Sequence, residues 1–176
     1  MKTSSSLCLL ISVAAFASGC AKKDTAATSA VPSPTTASAP VAAAPAPAAG
    51  PRTITIESSD AMKFNVTRIE VAAGEDLKVI LKNAGTLPKE AMGHNWVLLK
   101  AGTDVNAYCA AAISARATDY LPPAQADKVL AHTKMLGPKQ SDEVVFKAPT
   151  QPGEYPFVCT FPAHAMAGMK GVMIVK

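Results

Sequence analysis

The run Cys159-Thr160-Phe161-Pro162-Ala163-His164-Ala165-Met166-Ala167-Gly168-Met169-Lys170-Gly171 places a thiol, an imidazole and two thioethers within eleven residues. Thiolate and thioether are soft donors and imidazole is a borderline one, a set that favours copper over hard cations. A trigonal centre of two imidazoles and one thiolate with a weak axial thioether needs a second histidine from elsewhere in the chain. His94, in Met92-Gly93-His94-Asn95-Trp96, is the obvious donor. Cysteine alone would suit many metals, and structural zinc takes four strong ligands. Two His, one Cys and a distant Met point instead to a type 1 copper centre. Met169 is the preferred axial thioether because it abuts the closing strand; Met166, two residues beyond His164, competes for the role.

The elements that must position these residues read as short strands. Arg52 to Glu57 alternates apolar with polar at the period of a half-buried strand. Met62 to Val66, Glu70-Val71 and Leu77 to Leu81 continue extended, and Asn83-Ala84-Gly85 ends the last by turn chemistry. The loop Leu87-Pro88-Lys89 leads to His94, and Trp96 to Leu99 forms a strand whose single Trp is read as core. Asp104 is placed to cap a helix through Val105 to about Ala115, stopped by Leu121-Pro122-Pro123. Strands follow at Lys128 to Lys134, Glu143 to Lys147, Glu154 to Val158 and Gly171 to Val175. About eight strands at this spacing predict an all-β Greek-key β-sandwich with one helical insertion. The ligand loop is then pinned at both ends, by a strand ending at Val158 and another starting at Gly171.

The 176 residues divide into three stretches. Residues 1–19 read as an export signal: Lys2 supplies the positive start, Leu7 to Phe16 an apolar run too short for a stable span, and Ala17-Ser18-Gly19 the small residues before Cys20. Small residues before a Cys resemble a bacterial lipobox, so Cys20 is expected to be acylated, although Ala17 stands where Leu is more usual. The alternative is a plain signal peptide with Cys20 incidental. Residues 20–51 are then the lipidated Cys and an Ala/Pro-rich tether, which has no aromatic residue and too few large apolar ones to build a core. Its prolines favour extended conformation at about 3.1 Å per residue. Residues 52–176 form the domain, with 14 Lys/Arg against 12 Asp/Glu. Those charges are scattered, which leaves nucleic-acid binding without an electrostatic footprint.

Several motifs, in order, resemble the azurins, type 1 blue copper proteins of the cupredoxin family. They are Asp60-Ala61-Met62-Lys63-Phe64-Asn65, Leu87-Pro88-Lys89, Met92-Gly93-His94-Asn95-Trp96-Val97-Leu98, Ala131-His132-Thr133-Lys134, Cys159-Thr160-Phe161-Pro162 and Met169-Lys170-Gly171. The resemblance implies a cupredoxin fold and a single Cu(I)/Cu(II) ion held by His94, Cys159, His164 and Met169, with the Gly93 carbonyl as a candidate weak second axial contact. It implies that Asn95 and Thr160 tie the ligand loops together by hydrogen bonds. It further implies an apolar docking patch of Met62, Leu87, Met92, Phe161, Pro162 and Ala163 around the His164 ring. The expected function is electron transport between redox partners, such as c-type cytochromes, in the periplasm or at the cell envelope. Lipid-anchored azurins share the order of signal, tether and domain, and the residues after Cys20 lean towards the outer membrane. No nucleic acid, no enzymatic activity and a monomer are expected; the alternative function is copper binding and delivery without a carrier role.

Three departures accompany the resemblance. Azurins place Met four residues after the second His, whereas here it is five, a Cys-x4-His-x4-Met spacing that resembles auracyanin and bears on the axial bond. Ala163 stands where azurins usually have Gly, which is expected to crowd the patch slightly. Cys109 has no family counterpart; a buried thiol is favoured over a reactive one or a disulfide to Cys159. His132 matches a non-ligand His. Three histidines in the whole chain are too few for a second copper centre of an oxidase.

Overall fold

The computed structural model describes residues 50–176. The expected signal peptide at 1–19, the acylated Cys20 and all but the end of the tether lie outside the described residues. In chain order the strands and helices are β1 (Arg52–Ser59), β2 (Lys63–Phe64), β3 (Arg68–Val71), β4 (Asp76–Asn83), α1 (Lys89–Met92), β5 (Val97–Leu99), α2 (Val105–Ile113), β6 (Val129–His132), β7 (Ser141–Lys147), β8 (Gly153–Val158) and β9 (Lys170–Val175). Two 3₁₀ turns, Arg116–Thr118 and Pro123–Lys128, link α2 to β6.

The strands form the expected Greek-key β-sandwich. One sheet has the order β2-β1-β4-β7 and the other β3-β9-β8-β5-β6. Each sheet is mixed: β1 runs parallel to β4 and β3 parallel to β9, while the remaining pairs are antiparallel. Alternation in β4 puts Leu77, Val79 and Leu81 on the inner face, against Ile56 of β1 and Phe157 and Met173 of the facing sheet. Trp96 lies in the same core, between Phe146 and Phe157 with ring centroids 5.9 and 5.7 Å away.

β5 is buried on both faces because α2 covers the outer side of its sheet. Leu98 faces the inter-sheet core, whereas Val97 and Leu99 pack with Tyr108 of α2, Val158 and Ala165 in a second cluster. Asp104 caps α2 as expected, its carboxylate accepting from the backbone N–H of Asn106 and Ala107, an arrangement worth about 1 kcal/mol.

The sequence reading needs local corrections. Met62 belongs to the turn between β1 and β2, with φ of 53°, and the strand there is only Lys63–Phe64. A one-turn helix, α1, follows Pro88 where a loop was expected, because Pro88 supplies an extended residue before helical Lys89. α2 ends at Ile113, before the prolines, and Lys128 closes the 3₁₀ turn Pro123–Lys128, so that β6 starts at Val129. Among the described residues no helix is long and apolar enough to cross a membrane.

Candidate metal centre

Three neighbouring strands bring the donors to one end of the five-stranded sheet. β8 pairs antiparallel with both β5 and β9, so that Val158 at its end lies opposite Val97 at the start of β5 and Lys170 at the start of β9. Cys159 therefore leaves β8 where Met169 enters β9, and the Cys159 N–H donates to the Met169 carbonyl at 3.0 Å, extending the ladder by one bond. His94 sits just before β5 at the same end. Its own N–H donates to Leu136 O at 3.1 Å and its carbonyl accepts from Leu136 N at 2.8 Å, an isolated bridge that fixes the loop.

His164 is held by the turns of the ligand loop. Its N–H donates to Phe161 O at 3.1 Å, and its carbonyl accepts from Met169 N at 2.9 Å. Ala163 reaches this turn only with φ of 68° and Gly168 with 99°, so the departure at Ala163 acts through the backbone. A side chain in the left-handed region costs about 1–2 kcal/mol.

The result is a buried cluster in which one donor atom each from His94, Cys159 and His164 lies within 4.8 Å of the others. Cys159 Sγ is 3.5 Å from His164 Nδ1 and 3.9 Å from the Gly93 carbonyl. The His94 side chain is fully buried, and apart from an approach to the Ser59 backbone its ring nitrogens find no partner among the described residues. Orphaned buried nitrogens are costly; a coordinated ion would satisfy one. Met169 is 0% exposed, whereas Met166 is 73% exposed, which favours Met169 as the thioether that belongs to the site. Asn95 and Thr160 are joined by two buried bonds, Asn95 Nδ2 to Thr160 Oγ1 and Thr160 N to Asn95 Oδ1, each 2.8 Å. These are the bonds expected to tie the two ligand loops.

Burial governs the protonation of the donors. It lowers the pKa of His94, against the opposing charge of Asp60, and holds His164 down at about 4, with His94 adding to the effect. Both rings are thus neutral at pH 7, with lone pairs available. Burial pushes the Cys159 thiol up to about 12, partly offset by the backbone N–H groups of Asn95 and Phe161. Those two groups face the sulfur and are placed to hold a thiolate once a cation compensates its charge.

Residues 52–176 match the sequence model of the copper binding proteins, plastocyanin/azurin family. The chain belongs to that family. Among its relatives are outer membrane protein H.8 of Neisseria gonorrhoeae, 41% identical over 66% of this chain and 63% of that protein, and azurin of Pseudomonas aeruginosa, 39% identical over 70% and 84% respectively. The chain thus spans just under two thirds of the length of the H.8 protein. A crystal structure of dithionite-reduced auracyanin from Roseiflexus castenholzii matches with a TM-score of 0.64 and 40% identity, covering 72% of this chain and 98% of that one. The azurin-like body and auracyanin-like loop spacing agree with the presence of both groups among its relatives. Family and donor set together identify the cofactor as copper, at a site that His94, Cys159 and His164 fit.

The remaining sequence assignments separate cleanly. Met62, Met92, Phe161 and Pro162 are partly exposed, while Leu87, at 43%, and Ala163 are exposed, so none of the six expected docking residues is fully buried. His132 lies exposed on β6 and outside the donor cluster. Cys109 is a free, partly buried thiol and Cys159 a free, fully buried one, and no disulfide joins them. Sequence reasoning missed Leu136, whose pairing with His94 depends on a bridge distant in the chain. It also missed Thr133, whose hydroxyl accepts from Trp96 N at 3.0 Å, although its His-Thr-Lys context offered a signal.

Proposed function

We propose that this cupredoxin carries single electrons between redox proteins of the cell envelope, with His94, Cys159 and His164 as strong copper ligands and Met169 as the axial one. The buried His₂Cys cluster, whose three donor atoms lie within 4.8 Å of one another, is the observation that carries this reading. Copper bound there supplies a one-electron Cu(II)/Cu(I) couple suited to a thiolate–imidazole environment. The chain's part is to hold the donors still. Cys159 and Met169 directly flank adjacent strands β8 and β9, His94 is bridged to Leu136, and Asn95 and Thr160 lash the loops. Donors fixed by sheet and buried hydrogen bonds move little when their charge changes, which lowers the reorganisation that electron transfer requires.

The Gly93 carbonyl, 3.9 Å from Cys159 Sγ, is proposed as a further weak contact that copper would make. The exposed edge of the patch formed by Leu87, Phe161, Pro162 and Ala163 suits brief encounters with a partner such as a c-type cytochrome. Acylation of Cys20, followed by the tether at 20–51, would hold the domain at a membrane. The name of the H.8 relatives, an outer membrane protein, supports an envelope location.

Stopped-flow mixing of the copper-loaded protein with reduced c-type cytochrome tests the carrier role. Rapid reoxidation of the haem with bleaching of the blue colour is expected. Slow electron exchange together with ready loss of copper to a chelator would favour copper delivery instead.

A further inference from the structure

The His164 ring is only 2% exposed. A partner approaching this ligand first meets what covers it. The Phe161 ring lies against His164 with centroids 4.6 Å apart, and the Tyr120 ring meets Phe161 edge-on at 5.2 Å. Tyr120 and Phe161 are both partly exposed. Three aromatic rings therefore run without a break from a buried donor to the surface, in the tilted and edge-to-face geometries that aromatic pairs favour.

The chain holds Tyr120 there at a cost. Asp119 and Tyr120 occupy consecutive left-handed conformations, with φ of 52° and 61°, each costing about 1–2 kcal/mol for a residue with a side chain. Such strain persists only where surrounding contacts impose it. Here Tyr120 N donates to Ala115 O at 2.9 Å, Asp119 N to Arg116 O at 3.2 Å, and Asp119 pairs with Lys89 of α1 at 3.0 Å. A cavity of about 220 Å³ opens over the two rings, lined by Tyr120, Phe161, Met135, the ion pair Lys89–Asp119, and the side chains of Arg116 and Glu90. Its charges cancel, so nothing at the rim selects a strongly charged partner.

We propose that Tyr120 is the outer end of an aromatic lead, Tyr120–Phe161–His164, and that this flank is where the exposed haem edge of a c-type cytochrome makes its electronic contact. The inference rests on the carrier reading above and adds the route. One electron passes from ferrous haem to the oxidised centre, leaving ferric haem; no proton or group moves. The three rings in contact leave no gap between the surface and His164, whereas a shorter aliphatic side chain at position 120 would open one that the electron must cross. The balanced rim makes docking here depend little on salt.

The test uses the full mature chain and two substitutions, Tyr120→Phe and Tyr120→Leu, with horse-heart-type reduced cytochrome c as the probe. Tyr120→Phe should keep the wild-type electron-transfer rate, and Tyr120→Leu should lose it several-fold, with the visible spectrum and the potential of the copper centre unchanged in both. In the copper-free protein, where no electron can flow, chemical shifts perturbed by the cytochrome should centre on Tyr120 and Phe161. Equal rates in all three proteins, or a footprint that spares Tyr120, would overturn the lead. A several-fold loss in Tyr120→Leu accompanied by a shifted spectrum or potential would also overturn it, since Tyr120 would then act by shaping the copper site. Failure of the wild type to form a blue site or to oxidise the cytochrome would instead overturn the carrier reading.

Discussion

Replacing Asn95 with Ala removes both bonds between the His94 loop and the Cys159 loop. Asn95 and Thr160 are essentially inaccessible to water, and each contributes one donor and one acceptor to the 2.8 Å pair of contacts. In the variant the Thr160 hydroxyl can turn towards another acceptor, but the Thr160 N–H is fixed by the backbone and stays unsatisfied. An orphaned buried group costs about 1–3 kcal/mol, and with the second bond lost the expected total is about 2–4 kcal/mol. Thr160→Val keeps the backbone bond and strands only Asn95 Nδ2, so it should cost less. The assay is urea unfolding of the copper-free protein, where the midpoint should fall without a change in slope. The double variant should be clearly non-additive, as expected of residues sharing one network. A loss below about 1 kcal/mol for Asn95→Ala, or strict additivity, would refute the view that this pair lashes the ligand loops.

Further outcomes follow from the loop and its protonation. Met169→Gln should leave a coloured centre with altered spectrum and potential, while Met166→Gln, at an exposed position, should change neither; electronic spectra and voltammetry of both variants check this. Ala163→Gly relieves a left-handed conformation worth about 1–2 kcal/mol and returns about 0.5–1 kcal/mol in glycine entropy, so urea unfolding should show a net gain of about 0.5–1 kcal/mol. In the copper-free protein the unfolded chain protonates His164 near pH 6.5, whereas the folded one does so only at about 4, so stability should be full above that window and fall as pH drops through it. The lowered His94 acts in the same direction. At the alkaline end the sign reverses: the Cys159 thiol ionises near 9 in the unfolded chain and at about 12 in the folded one, so stability should decline as pH rises past 9. Unfolding midpoints measured across pH check both limbs.

Much of the site was legible because donor type and order in the chain are local properties. Cys159, His164 and His94 stand out by their chemistry, and the alternating strands on either side of them say that they gather at one end of a sandwich. The choice of Met169 over Met166 rested on its adjacency to a strand and on the Met-Lys-Gly context of the family; Met169 is buried and Met166 exposed. What sequence could not supply were features set by distant contacts. The turn at Met62 depends on a backbone conformation that no side-chain pattern encodes, and α1 spans too few residues to show a helical period. α2 ends at Ile113, close to the expected Ala115, but the 3₁₀ turns at Arg116–Thr118 and Pro123–Lys128 are too short to show a period. The edge-on contact of Tyr120 with Phe161 joins segments that only the folded chain brings together.

Addition of Cu(II) to the copper-free protein tests the central claim most directly. An intense blue thiolate-to-copper band with narrow copper hyperfine splitting is expected, at one copper per chain, with loss of the band in Cys159→Ser. A colourless or pale product from the wild-type protein would contradict it.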